Sequence, residues 1–129
     1  MGMMEEMAKR VAAGQTVSFK PRGNSMRPIV NSGDPVVVAP IGDPADLEVG
    51  DIVLVRVSGT TYLHLVDSVD ADRKRVRIAN NRGHVNGWAP FRQVHGICVE
   101  VDGKVLRGAI GKSASVSYTH LTLPTIYSV

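Results

Sequence analysis

A chain of 129 residues is long enough for one domain and for a core that needs no covalent staples. Its single cysteine, Cys98, excludes a disulfide framework, and a formal net charge of +3 is too mild for the concentrated basic face of a nucleic-acid binder. No apolar run approaches the roughly 20 residues of a membrane helix. Glu5 and Glu6 stand where a secretory signal carries bases, so a soluble, cytoplasmic protein is expected.

Met3, Met7 and Val11 recur at helical spacing, with Glu5 and Glu6 early and Lys9 and Arg10 late, as the helix dipole favours. This predicts a short amphipathic helix within residues 1–15, ended by a cap at Gly14. No second helix fits before Ser25, so a helix-turn-helix is excluded. The period then changes. Val17 and Phe19 alternate with polar neighbours as in a strand, and Pro21 to Pro28 reads as a loop. Ser32-Gly33-Asp34 and Val49-Gly50-Asp51 are turns, each launching an apolar strand, Val36 to Ala39 and Ile52 to Val57. Pro40 to Asp46 is a loop between them. Ser58-Gly59 is a hairpin turn into a strand from Thr60 to Val66. Asp70-Ala71-Asp72 turns into the alternating strand Arg75 to Ile78. Asn80 to Asn86 reads as a polar loop with Gly87-Trp88 beyond it. Gly96 to Val101 is a late strand, and Asp102-Gly103 turns into Lys104 to Leu106.

These elements predict a mostly-β domain over residues 16–112, a small coiled, barrel-like sheet with a short N-terminal helix. No crossover helix is present for a βαβ fold. Residues 113–129 stand apart. From Ala114 onward there is no Lys, Arg, Asp or Glu, and Val116 to Thr125 resembles the conceptual translation of a transposase-type sequencing adapter. That segment is expected to be a non-native tail, which removes His120 from every site argument.

The chemistry centres on Gly23-Asn24-Ser25-Met26-Arg27-Pro28 and on Leu63-His64-Leu65-Val66. A serine hydroxyl is a weak nucleophile until a neighbouring base takes its proton. Taken alone, Asn24-Ser25 is an ordinary polar turn and His64 an ordinary strand histidine. Together they suggest a nucleophile and its base. His64 lies between two leucines, so on a strand it points to the opposite face from them. Its ordinary pKa near 6.5 makes it a neutral base at pH 7.

From about Val17 to Val101 the chain resembles the superfamily of signal peptidases and self-cleaving SOS and phage repressors. The resemblance rests on Gly23 to Pro28, Ser32-Gly33-Asp34, Gly50-Asp51-Ile52-Val53 and Tyr62 to Val66. It implies the mostly-β peptidase fold of that superfamily, with Ser25 as nucleophile. The base there is usually a lysine. His64 in the matching position resembles the histidine-type signal peptidases. Those enzymes carry an aspartate in the loop that matches Asn80 to Asn86, where this chain has no acid. Asn80, Asn81 and Asn86 are therefore the candidates to orient His64. Asp67 falls on the opposite strand face. The oxyanion candidates are the Ser25 N–H and, second, Asn24. Gly23, Met26 and Pro28 are substrate-groove candidates.

Other patterns carry less. His95 and Cys98 have a ligand-like spacing but point to opposite faces of a strand. The run Arg73-Lys74-Arg75 with Arg77 reads as a solvated face, and Trp88 as a lid over a core. Ala13-Gly14 resembles the bond that self-cleaving repressors cut, yet it stands too close to Ser25 to reach it and reads as the helix cap. The expected function is a stand-alone serine endopeptidase working through Ser25 and His64 on a peptide or protein substrate. No metal or cofactor is expected, and nucleic acid is not an expected partner. The rivals are a catalytically silent peptidase-fold binding module and a regulator without its DNA-binding half.

Overall fold

The computed structural model describes residues 2–106 and Lys112. One helix, α1 (Met3–Ala12), precedes eight strands: β1 (Val17–Phe19), β2 (Val36–Pro40), β3 (Ile52–Val57), β4 (Thr60–Asp70), β5 (Arg75–Ala79), β6 (Val85–Pro90), β7 (Val94–Val101) and β8 (Lys104–Val105). Single 3-10 turns stand at Pro44–Asp46 and Phe91–Gln93. All pairings are antiparallel, in the order β1-β2-β7-β3-β4-β5-β6, with β8 beside β7. The mostly-β expectation with one N-terminal helix therefore holds, and the sheet stays open, with β1 and β6 at the two ends of that order.

The continuous apolar runs of β2 and β3 follow from burial on both faces. Val36, Val38, Ile52 and Leu54 enter one core with Ala8, Val11 and Met26. Val37, Ala39, Val53, Val55 and Val57 enter the other, with Val76 and Ile78 of β5 and Ala89 of β6. Residues of β5 and β6 thus pack on β3 although β4 lies between them in the strand order. The sheet curls over itself to close this second core, and offsets in four strand pairings assist the bending.

Helix α1 packs against the sheet through Met4, Met7, Ala8 and Val11, whereas Met3, expected on that stripe, is 44% exposed. The helix ends as expected, with Gly14 at φ +95° and its N–H donating to the Val11 carbonyl. It comes close to the sheet at Gly96 of β7, where an added Cβ would stand 2.4 Å from Val11 and 2.8 Å from the Ala39 carbonyl oxygen.

Two local readings are corrected. Asn80 to Asn86 is not all loop, because β6 begins at Val85. This edge strand contains Asn86, Gly87 and Pro90, residue types that obscure a strand in sequence and are tolerated at an edge. Trp88 is no lid: it is 38% exposed, with the Arg75 guanidinium 4.2 Å and the Arg77 guanidinium 5.9 Å from its ring centroid. The basic run is partly neutralised, since Arg75 pairs with Asp70 and Arg77 with Asp67. Cys98 is a core thiol, pushed up to about 12 by burial. The buried Lys112 ammonium bonds to Asp51 at 3.2 Å and to Glu48. The adapter-like segment 113–129 lies outside the described residues.

Candidate active site

Ser25 sits in a loop tied at several points. The Gly33 N–H donates to the Pro21 carbonyl at 2.8 Å, closing the neck of the loop. Met26 is buried in the core beneath, and the Val30 N–H donates back to its carbonyl. Gly23, at φ +115°, takes a conformation that favours glycine and donates its N–H to Ser32 Oγ. From the far side Asn81 clasps the loop: its N–H donates to the Ser25 carbonyl and its Nδ2 to the Arg27 carbonyl, each at 2.8 Å. Among the described residues the Ser25 N–H has no hydrogen-bond acceptor.

His64 is fixed on β4, opposite Val53 of β3 and 7% exposed. Its Nε2 lies 3.0 Å from Ser25 Oγ, and its Nδ1 lies 2.8 Å from Asn86 Oδ1. An amide oxygen only accepts, so Nδ1 carries the ring proton and Nε2 offers its lone pair to the serine hydroxyl. Asn86 reaches the ring because β6 bulges there. Ala79 pairs with Val85 and Ile78 with Gly87, which leaves Asn86 as the extra residue. Asp67 is likewise the extra residue at a β4 bulge, and its carboxylate accepts from Arg77 Nε at 2.8 Å.

Burial is the main influence that lowers the His64 pKa, with a smaller contribution from His84; the Asn86 hydrogen bond opposes them. The ring is therefore neutral at pH 7. Tyr62, two residues earlier, stacks on it with ring centroids 4.7 Å apart and planes 25° from parallel. That contact follows from strand alternation, which puts i and i+2 on one face; Tyr62 belongs to the matched segment Tyr62 to Val66 but was not among the site candidates.

Beside the pair is a hollow of about 380 Å³, lined by Met4 of α1, Arg22, Met26, Val30, Leu63 and Tyr62 among others. One wall is unfinished sheet. β4 pairs with β3 from Thr60 to Leu65, but β5 joins only from Leu65 onward. Among the described residues the backbone around Thr61 to Leu63 thus has a strand partner on one side alone.

A family model described as Peptidase S24-like matches residues 3–104. The chain belongs to this family. No curated protein and no solved structure matches it. The S24-like match runs from α1 to the start of β8 and so takes in every segment that forms the hollow. Within this S24-like domain the sequence candidates separate. Ser25, His64 and Asn86 form one hydrogen-bonded chain, and Gly23 and Met26 line the hollow. Asn80 also lines it, but its Oδ1 accepts from the Arg82 and His84 N–H groups and holds its own turn. Asn81 clasps the serine loop instead of touching His64. Asn24 and Pro28 line a second hollow with Arg27 and Arg82, and Asn24 is not among the residues around the first.

Proposed function

We propose that this S24-like domain is a serine endopeptidase, with Ser25 as nucleophile, His64 as base and Asn86 as the residue that orients the base. The observation that carries the reading is the continuous chain from Ser25 Oγ to His64 Nε2 at 3.0 Å and from His64 Nδ1 to Asn86 at 2.8 Å. A substrate peptide adds as a strand beside Thr61 to Leu63, where β4 lacks a second neighbour. As Ser25 Oγ attacks the peptide carbonyl, His64 Nε2 takes its proton and passes it to the leaving amine. Water then hydrolyses the acyl-enzyme with the same base. The Ser25 N–H, which has no acceptor among the described residues, is available to the oxyanion. The neutral Asn86 steadies the imidazolium less than a carboxylate does, so the reaction is expected to be slow.

A serine-directed peptidyl phosphonate tests the reading. The protein is expected to gain one adduct, mapped to Ser25 by mass spectrometry. Ser25→Ala and His64→Ala should each abolish both labelling and peptide cleavage. Cleavage that persists in purified Ser25→Ala removes the serine from the mechanism. A folded wild type that binds peptides but never labels is the silent binding module.

A further inference from the structure

The charges around the two hollows are one-sided. Arg22 lines the hollow beside Ser25 and His64, and Arg27 and Arg82 line the second one, about 300 Å³ in volume. The second hollow lies beside the same serine loop: Asn24 and Arg27 flank Ser25 in sequence, and the Asn81 clasp brings Arg82 alongside. Among the described residues no Asp or Glu lines either space. All three arginines are exposed, and among the described residues none of them is in a salt bridge. The arginines of the β5 face differ, since Arg75 and Arg77 are each matched to an aspartate. Asp34, the acid nearest in sequence to the serine loop, accepts from the Asn31 N–H and is not among the residues around either hollow.

A guanidinium presents a planar fork of donors that fits a carboxylate at two points. Three unmatched forks, one in the hollow of Ser25 and two in the hollow on the other part of its loop, leave this face positive, and a cleft lined by one sign of charge selects the opposite sign. From this we propose that the groove selects acidic peptides, with Asp or Glu side chains flanking the bond presented to Ser25. Arg22 takes a carboxylate on the side of the first hollow, and Arg27 with Arg82 take one on the side of the second. The proposal rests on the peptidase reading for which bond lies at Ser25, but the charge selection itself is a binding property and can be measured without catalysis.

Two fluorescent peptides of equal length supply the test, one with Glu and Asp flanking a central small residue, the other with Gln and Asn in the same places. Their Kd values are measured by anisotropy on the full-length Ser25→Ala protein, which cannot turn them over. The acidic peptide is expected to bind about tenfold tighter at low ionic strength, the sum of two or three exposed ion pairs. The preference should shrink toward parity at about 1 M salt, where screening acts over roughly 3 Å. Replacing Arg22, Arg27 and Arg82 together by Gln should bring the acidic peptide to the affinity of its amide twin. Because that variant could be misfolded, its melting temperature is checked and the Lys replacements are measured beside it; these should retain most of the preference. Equal affinities for the two peptides, or a preference that survives the triple Gln change, overturn the proposal. Phosphonate labelling of wild-type Ser25 reports separately on the chemistry: an acid preference without labelling keeps the groove and removes the peptidase.

Discussion

At His64 the partner on Nδ1 decides what the ring can do. Burial favours the neutral ring and Asn86 only partly opposes it, so the acid limb of the pH profile of kcat/KM is expected below the ordinary histidine value of about 6.5. Asn86→Asp places a carboxylate at the same nitrogen. The imidazolium formed during attack is then better stabilised, so the acid limb should move to higher pH and the rate at pH 8 should rise about tenfold. Asn86→Ala should lower kcat about a hundredfold with little change in KM, because the ring loses its fixed tautomer. An unchanged profile in both variants would remove Asn86 from the mechanism. Tyr62→Leu removes the stacked ring and should lower kcat about fivefold, the worth of one aromatic contact. Sequence could bring Ser25 and His64 forward as candidates that should meet, and they do, because a short motif and a lone histidine in an apolar strand carry their own signals. It could not choose among Asn80, Asn81 and Asn86. That choice is made by a bulge that shifts register by one residue at Asn86, and a one-residue shift has no signature in composition.

Among the elements, β2, β3 and the β3–β4 hairpin were legible because burial on both faces writes continuous apolar runs and because Ser58-Gly59, at φ +48° and +86°, is a recognisable turn. β6 was hidden because its identity comes from pairing with β5 at the end of the sheet, and its residues have little strand propensity of their own. The burial of Met4 in place of Met3 was hidden too. The helical phase is set by where Val11 meets Gly96, a contact between residues far apart in sequence. That contact gives a prediction. Gly96→Ala puts a methyl group where Val11 and the Ala39 carbonyl already stand, and one of these is backbone and cannot turn aside. Overpacking of this kind costs about 1–3 kcal/mol, measurable by urea unfolding. The displacement should also reach catalysis. α1 carries Met4 into the hollow, so KM should rise more than kcat falls. A Gly96→Ala protein of wild-type stability would mean that neither α1 nor β2 approaches β7 this closely at Gly96 in solution.

For the molecule as a whole, the burial that keeps His64 neutral makes folding sensitive to acid. His64 and His95 both have lowered pKa values, mainly through burial, with His84 adding to the first and Arg56 to the second. In the unfolded chain both titrate near 6.5. Between that value and their lower folded values, the unfolded chain binds protons that the folded one refuses. The slope of unfolding free energy against pH is therefore positive in this window. Their contribution is complete above about pH 7 and is lost as pH falls through 6.5 toward the folded values. Carboxylates act at lower pH and in both senses. Glu48 and Asp70, held low by Lys112 and by the Arg73 N–H respectively, lose their contribution on acidification. Glu100, raised by burial, gains on acidification. Scanning between pH 8 and pH 5.5 isolates the histidines from most of this. The melting temperature is expected to fall by about 4 °C or more across that range, the equivalent of roughly 1 kcal/mol in a domain of this size. His64→Gln should flatten part of the slope, because glutamine hydrogen-bonds without titrating, and the His64→Gln, His95→Gln pair should flatten most of it. A melting temperature that stays level or rises toward pH 5.5 in the wild type would show that neither ring is held neutral by the fold. The acid limb expected of the proposed peptidase activity would then need a cause other than His64.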